Sequence, residues 1–148
     1  MKPIIRKATK ADLTAILGLV VELAVYEKEP EAVTAKLRDY TQAYEDGLIS
    51  AHVATIDEVV VGMALYYDTF STWKGKMLYL EDFYVKSEFR SLGIGQLLFN
   101  AFIETAKLRA CKMVKWEVID WNDRAVQFYI DNGATIDKQW WNAKIIFD

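Results

Sequence analysis

Apolar positions along the chain switch repeatedly between a period of two and a period near 3.6, and the switches mark its elements. Pro3 to Lys7 alternates weakly and predicts a first strand. Thr9 then opens Thr-Lys-Ala-Asp, a capping-box-like start with Asp12 in place of glutamate. Leu13, Ile16, Leu17, Val20, Leu23 and Ala24 follow helical spacing to about Tyr26. Pro30 ends that helix, and Val33 to Tyr44 predicts a second, stopped at Gly47. Three strands follow: Ile49 to Ile56, a tight turn through Asp57-Glu58, Val59 to Tyr67, and Met77 to Val85 after the Trp73-Lys74-Gly75 turn. The helix after Gly95 carries Leu97, Leu98, Phe102, Ile103 and Ala106 on one face, and Met113 to Ile119 alternates as another strand. Asn122 is the expected N-cap of a short helix, Asp123 to Asp131, closed at Asn132-Gly133, and Ala134 to Phe147 suits two short strands or a hairpin.

This order predicts an α/β (α+β) fold in one domain, residues 1–148: a mixed sheet of six to seven strands with about four helices on its faces and no internal repeat. Composition agrees, at 53% hydrophobic and 26% charged residues with only two prolines, and a net charge of -3 gives no general attraction to nucleic acid. The single cysteine, Cys111, and single histidine, His52, leave no expected metal cluster or intrachain disulfide. No continuous apolar segment of membrane-spanning or signal-peptide type is found, so a cytoplasmic protein is expected.

Two features stand apart from core-building. Glu81 and Asp82 interrupt an otherwise apolar strand, and Arg90-Ser91-Leu92-Gly93-Ile94-Gly95 leads from that strand into a helix. A glycine-bearing turn at a helix N-terminus presents N–H groups and partial positive charge to one point, which suits a phosphate. No GxxxxGK[ST] string occurs, and Leu98 stands where a dinucleotide fingerprint needs its third glycine. Taken alone, the turn reads equally as an ordinary loop before an amphipathic helix. The two acids, adjacent in a strand, point to opposite faces and form a close pair only across a bulge.

Together these features resemble the GNAT superfamily of acetyl-CoA-dependent N-acetyltransferases. Arg90, Gly93 and Gly95 match its Q/R-x-x-G-x-G/A pyrophosphate motif, and Asn122, Phe128, Tyr129 and Gly133 match its later Asn…Phe-Tyr…Gly segment. Ser91 stands where many members have glycine. Glu22-Leu-Ala-Val-Tyr-Glu27, Trp73-Lys-Gly-Lys-Met-Leu-Tyr-Leu-Glu-Asp-Phe83 and Glu117-Val-Ile-Asp-Trp-Asn122 are similar to the spermidine/spermine (diamine) branch, which includes the thialysine acetyltransferases.

The resemblance implies a mostly antiparallel sheet that splays beside the cofactor, acetyl-CoA as cosubstrate, no metal, and a homodimer. It implies transfer of an acetyl group to a primary amine of a small cationic substrate, a polyamine, diamine or lysine-like amine, in a ternary complex. It places the thioester arm on the main chain of Phe83, Tyr84 and Val85, and the pyrophosphate on Arg90, Ser91, Leu92, Gly93, Ile94 and Gly95. Asn122 is then a cofactor contact, a helix cap, or both. Tyr129 becomes the general acid for the departing thiolate, with an aromatic pair beside Phe128 as the plainer reading. Glu81 becomes the acceptor-side base or ammonium ligand, and Tyr26, Glu27, Trp73 and Asp82 line that pocket. The plainer readings are salt bridges from Glu81 and Asp82 to Lys74 or Lys76, and an ordinary helix end at Tyr26-Glu27. A deprotonation route matters because an alkyl amine of pKa near 10.4 is neutral in only about one molecule in a few thousand at pH 7. The second helix, taken over Glu31 to Asp46, does not match the branch, so the amine stays open. Other readings are a non-catalytic acetyl-CoA-binding module, or an acetyltransferase for an aminoglycoside or a protein N-terminus.

Overall fold

The computed structural model describes residues 2–147, which divide into two compact units, one through Glu117 and one from Val118. The first unit is a five-stranded sheet in the order β1-β2-β3-β4-β5, formed by Ile4–Lys7, Ser50–Ile56, Val59–Ser71, Gly75–Val85 and Met113–Trp116. The first four strands pair antiparallel and β4–β5 is parallel. Helices α1 (Leu13–Tyr26), α2 (Leu37–Glu45) and α3 (Ile94–Leu108) complete it.

Local chemistry sets the boundaries. Asp12 closes the turn before α1, accepting from the Thr9 N–H at 2.7 Å and from both terminal nitrogens of Arg6 at 2.7 and 2.9 Å. Those contacts hold its carboxyl down at about 2. Helix α2 starts at Leu37, later than the predicted Val33. Val33 is extended after a 3-10 turn at Pro30–Ala32, and Asp39 supplies the start signal by accepting from the Lys36 N–H at 2.7 Å. Gly47, at φ 71, ends it: Leu48 and Gly47 donate back to the Ala43 and Tyr44 carbonyls at 2.8 and 3.1 Å. The β2–β3 turn through Asp57 and Glu58 is tight as expected, with both residues at positive φ. The next hairpin is longer than predicted, because Ser71 Oγ accepts from the N–H groups of Trp73 and Lys74 and pairing extends to Ser71 and Gly75.

Each sheet face has its own core. Leu13, Ile16 and Leu19 of α1 pack with Ala51, Val53, Met63 and Leu65, joined by Tyr40 and Tyr44 of α2 and by Tyr84. On the opposite face, Phe102 meets the Tyr66 ring at 5.6 Å, and Trp116 stands edge-on to Phe99 at 5.5 Å. The buried face of α3 is Ile94, Leu98, Phe99, Phe102 and Ala106; Leu97 is exposed, so the predicted stripe was rotated by one position there. His52 Nδ1 lies 2.8 Å from the Tyr66 hydroxyl, a structural contact on the sheet.

Two expectations need correction. The fifth strand stops at Trp116 rather than Ile119, because its ladder with β4 ends at Leu80, where β4 changes register. The second unit contains α4 (Asp123–Asp131), but residues 134–147 form neither strand nor hairpin. The sheet therefore has five strands instead of six to seven. Alternation in that tail reflects apolar side chains without a ladder: Trp140, Trp141, Ile145, Ile146 and Phe147 are all exposed. Two short strands alone do not hold together in water.

Candidate active site

The centre of interest is a single surplus residue. Along the β3–β4 ladder Tyr66 pairs with Leu80 and Leu65 pairs with Asp82, so Glu81 is the extra residue of a β-bulge. Cross-strand partners share a face. Asp82 and Tyr84 lie opposite Leu65 and Met63, which belong to the α1-side core, so Asp82 faces α1 and α2. Tyr67, two positions beyond Leu65 on β3, occupies that same face, and its hydroxyl donates to Glu81 Oε1 at 2.8 Å. The bulge thus turns two neighbouring acids, expected on opposite faces, onto one.

Their environment is anionic and partly dry. Burial and the charges of Glu81 and Glu27 push the Asp82 carboxyl up to about 6. Glu27, the C-cap residue of α1, is half-buried and also raised, by burial. Tyr40 of α2 is pushed up to about 12 by burial and the charges of Asp82 and Glu81, and Tyr67 to about 12 by burial and its bond to Glu81. Among the described residues no cation pairs with Glu27, Glu81 or Asp82, so the expected alternative of salt bridges to Lys74 or Lys76 is not what the structure contains. Tyr40 and Tyr67 were missed in the sequence; their placement follows from a bulge that leaves no pattern of its own.

The same bulge opens the sheet. Pairing of β4 with β5 ends at Leu80 and Trp116, one residue before Glu81. Lys86 donates to the Val61 carbonyl at 2.9 Å, and antiparallel alternation then directs the N–H groups of Phe83 and Val85 away from β3, toward the edge that β5 has left.

Beyond β4, a 3-10 turn at Ser87–Phe89 leads through Arg90 to Gly93, the N-cap of α3. Gly93 sits at φ 79 and brings no capping side chain; the first intrahelical bond is Leu97 N–H to Gly93 at 3.2 Å. The N–H groups of Ile94 and Gly95 precede it at the positive end of the helix. A Cβ on Gly93 would meet nothing within 4 Å, and one on Gly95 only Phe83 Cζ at 3.7 Å. Protein atoms therefore do not fill the space beside either glycine, and the turn fits a pyrophosphate. Ser91 itself takes the left-handed conformation, at φ 66, where a glycine is favoured.

Trp73 does not gather with the acids. The Tyr26 ring lies against Arg90, whose guanidinium carbon is 5.3 Å from the ring centroid. Trp73 is 82% exposed at the β3–β4 hairpin tip, beyond Gly75, and Gly75 and Glu81 are about 20 Å apart along the strand. In the second unit, Asn122 accepts from the Ala125 N–H at 3.1 Å and caps α4, while Tyr129 is buried with its ring 5.6 Å from that of Phe128. Gly133, at φ 91, closes this helix. No group of three or more His, Cys, Asp or Glu among the described residues is arranged to hold a metal ion, and no helix among them is long and apolar enough to cross a membrane.

A sheet splayed at a bulge, next to an open glycine turn at a helix N-terminus, is the frame of an acyltransferase. The chain belongs to the acetyltransferase (GNAT) family, whose model matches residues 14–133, and it is accordingly a GNAT-family N-acetyltransferase. It is 39% identical to the thialysine N-epsilon-acetyltransferase of Bos taurus, over 88% of this chain and 82% of that one. It is 32% identical to spermidine/spermine N(1)-acetyltransferase-like protein 1 of Homo sapiens, over 88% of this chain and 20% of that one. Its fold matches that of an aminoglycoside acetyltransferase from an uncultured soil metagenomic sample, solved with trehalose, at a TM-score of 0.82, with 16% identity over 99% of this chain and 97% of that one.

Proposed function

We propose that this acetyltransferase uses acetyl-CoA to acetylate a primary amine of a small cationic substrate, a polyamine, diamine or lysine-like amine, by direct transfer in a ternary complex. The observation that carries the reading is the group of Glu27, Glu81 and Asp82, gathered at the bulge without a cation among the described residues and walled by Tyr40 and Tyr67. Carboxylates with aromatic walls suit an alkylammonium, through charge and cation–π contact. The thialysine and spermidine/spermine relatives support the same substrate class.

When bound, acetyl-CoA supplies an activated thioester. Arg90 and the Gly93–Gly95 turn would receive its pyrophosphate, Asn122 would add a polar contact, and the main chain of Phe83 to Val85 would hold the arm and carbonyl oxygen. Glu81 and Asp82 hold the ammonium and take its proton. Asp82, raised toward 6, is a better base than an exposed carboxylate. The neutral amine would form the N–C bond as the C–S bond breaks; Tyr129 would give its hydroxyl proton to the leaving sulfur and be restored by the proton that the acetylated nitrogen sheds. Trp73 joins an acceptor pocket only if a second copy brings it there; the same reading includes a homodimer, in the cytoplasm, and light scattering tests the assembly.

A thiol-release assay with acetyl-CoA over spermidine, spermine, putrescine, thialysine, lysine and aminoglycosides tests the substrate class. Turnover of the linear cations supports it, and reaction with aminoglycosides alone overturns it. Intersecting initial-rate lines are expected for a ternary complex, and parallel lines refute direct transfer. Tyr129→Phe should lower kcat far more than cofactor affinity; unchanged kcat removes Tyr129 from the chemistry.

A further inference from the structure

Arg90 is held on three sides. Its guanidinium carbon stands 5.3 Å from the Tyr26 ring centroid and 5.5 Å from that of Tyr84, and its Nε donates to the Val85 carbonyl at 3.2 Å. Tyr84 is anchored in turn: its hydroxyl donates to Glu22 Oε1 at 3.4 Å, and Glu22 pairs with Lys86 at 3.1 Å. On the edge opposite Nε, the two Nη groups of Arg90 meet no acceptor among the described residues.

A surface arginine surrenders much side-chain freedom when it binds an anion. Rings against the guanidinium, with Nε fixed, remove that freedom beforehand and leave the planar fork for a bidentate phosphate. Tyr26 is 40% exposed and is the last residue of α1, so packing alone does not call for an aromatic ring there.

We infer that Tyr26 and Tyr84 are positioning residues that clamp Arg90 as a preset fork for the cosubstrate's phosphate groups, which moves Tyr26 from the acceptor wall to the phosphate side. This rests on the acetyl-CoA reading above. Tyr26 lies against Arg90 and acts on the ligand through the guanidinium.

The test is calorimetric titration of the full chain with acetyl-CoA, alongside the steady-state KM for the amine. Tyr26→Leu should raise the acetyl-CoA Kd about three- to tenfold, the effect of one ring contact, while amine KM at saturating acetyl-CoA stays unchanged. Tyr26→Phe keeps the ring and should remain within about twofold of wild type. Arg90→Lys keeps the charge and loses the fork, so adding Tyr26→Leu to it should change nothing further. Tyr84→Phe, which keeps the core ring but releases Glu22, should weaken acetyl-CoA binding less than Tyr26→Leu. An unchanged Kd in Tyr26→Leu, a shift in amine KM instead, or an equal loss in the Arg90→Lys background overturns the clamp. Failure of the wild-type chain to bind acetyl-CoA at all would overturn the functional reading itself, a separate result.

Discussion

Asp82 should cost the folded protein stability above pH 6, and replacing it with asparagine should recover that stability. Its carboxyl rises from 3.8 in the free residue to about 6 in the fold, mainly by burial and then by the charges of Glu81 and Glu27. A shift of that size corresponds to about 3 kcal/mol at most, and about 2 kcal/mol once the partial exposure of the site is allowed for. The direction follows from proton linkage. The fold holds the Asp82 proton more tightly than the unfolded chain does, so its contribution is complete below about pH 4, declines as pH rises toward 6, and is gone above. Thermal and urea unfolding of wild type and Asp82→Asn at pH 4.5, 6 and 8 isolates this group as a difference curve. Asp12, held down at about 2, stays ionised throughout that range and drops out, while Glu27 is raised in both proteins. At pH 8 the variant should melt about 4–8 °C higher, with the gap narrowing toward pH 4.5. A variant less stable than wild type at pH 8, or a gap that does not change with pH, would refute the picture of a buried carboxylate crowded by like charge. With a diamine present at pH 8 wild type should gain more in Tm than the variant, since the cation supplies the counter-charge.

The two glycines of the turn should separate in experiment. Gly93→Ala forces a Cβ into φ 79 and should cost about 1–2 kcal/mol in urea unfolding, whereas Gly95→Ala, whose Cβ would only touch Phe83 at 3.7 Å, should leave stability equal or slightly higher and weaken acetyl-CoA binding. Ser91→Gly should raise stability by about 1 kcal/mol by relieving the left-handed backbone at φ 66; no gain in melting temperature would contradict that account. Asn122→Ala removes the acceptor for the Ala125 N–H and should cost about 1 kcal/mol, visible as earlier thermal unfolding.

Most of the frame was legible because local chemistry writes it. Asp12, Pro30, Gly47, Asp57-Glu58, Asn122 and Gly133 each mark an element end through a cap, a turn or a positive φ, and α1, α3 and α4 fall where their spacing placed them, while α2 starts four residues later. The glycine turn was legible for the same reason, since Gly93 is required by backbone geometry at a helix start. What stayed hidden depends on pairing between strands. Nothing in Leu-Glu-Asp-Phe announces that Glu81 has no partner across from it, yet that vacancy decides where β5 ends and which face holds Asp82. Tyr40 and Tyr67 were invisible as site residues because α2 and β3 reach the acids only in three dimensions. The tail was misread because alternation signals a strand only where another strand is available to pair.

The bulge has a consequence for how such a site is gained and lost. Its cleft and its carboxylate come from the same event, one amino acid more in β4 than in β3. Substituting Glu81 changes a side chain and keeps the opening. Removing the residue altogether would bring Asp82 directly behind Leu80 with Leu65 still across from it, regularise the ladder, and leave every side chain from Asp82 to Val85 on its present face. Tyr84 would stay in the α1-side core and Phe83 beside Phe99, so the fold would survive while the opening closed. For this strand a frame-preserving loss of one codon would take away cleft and carboxylate together and spare both cores.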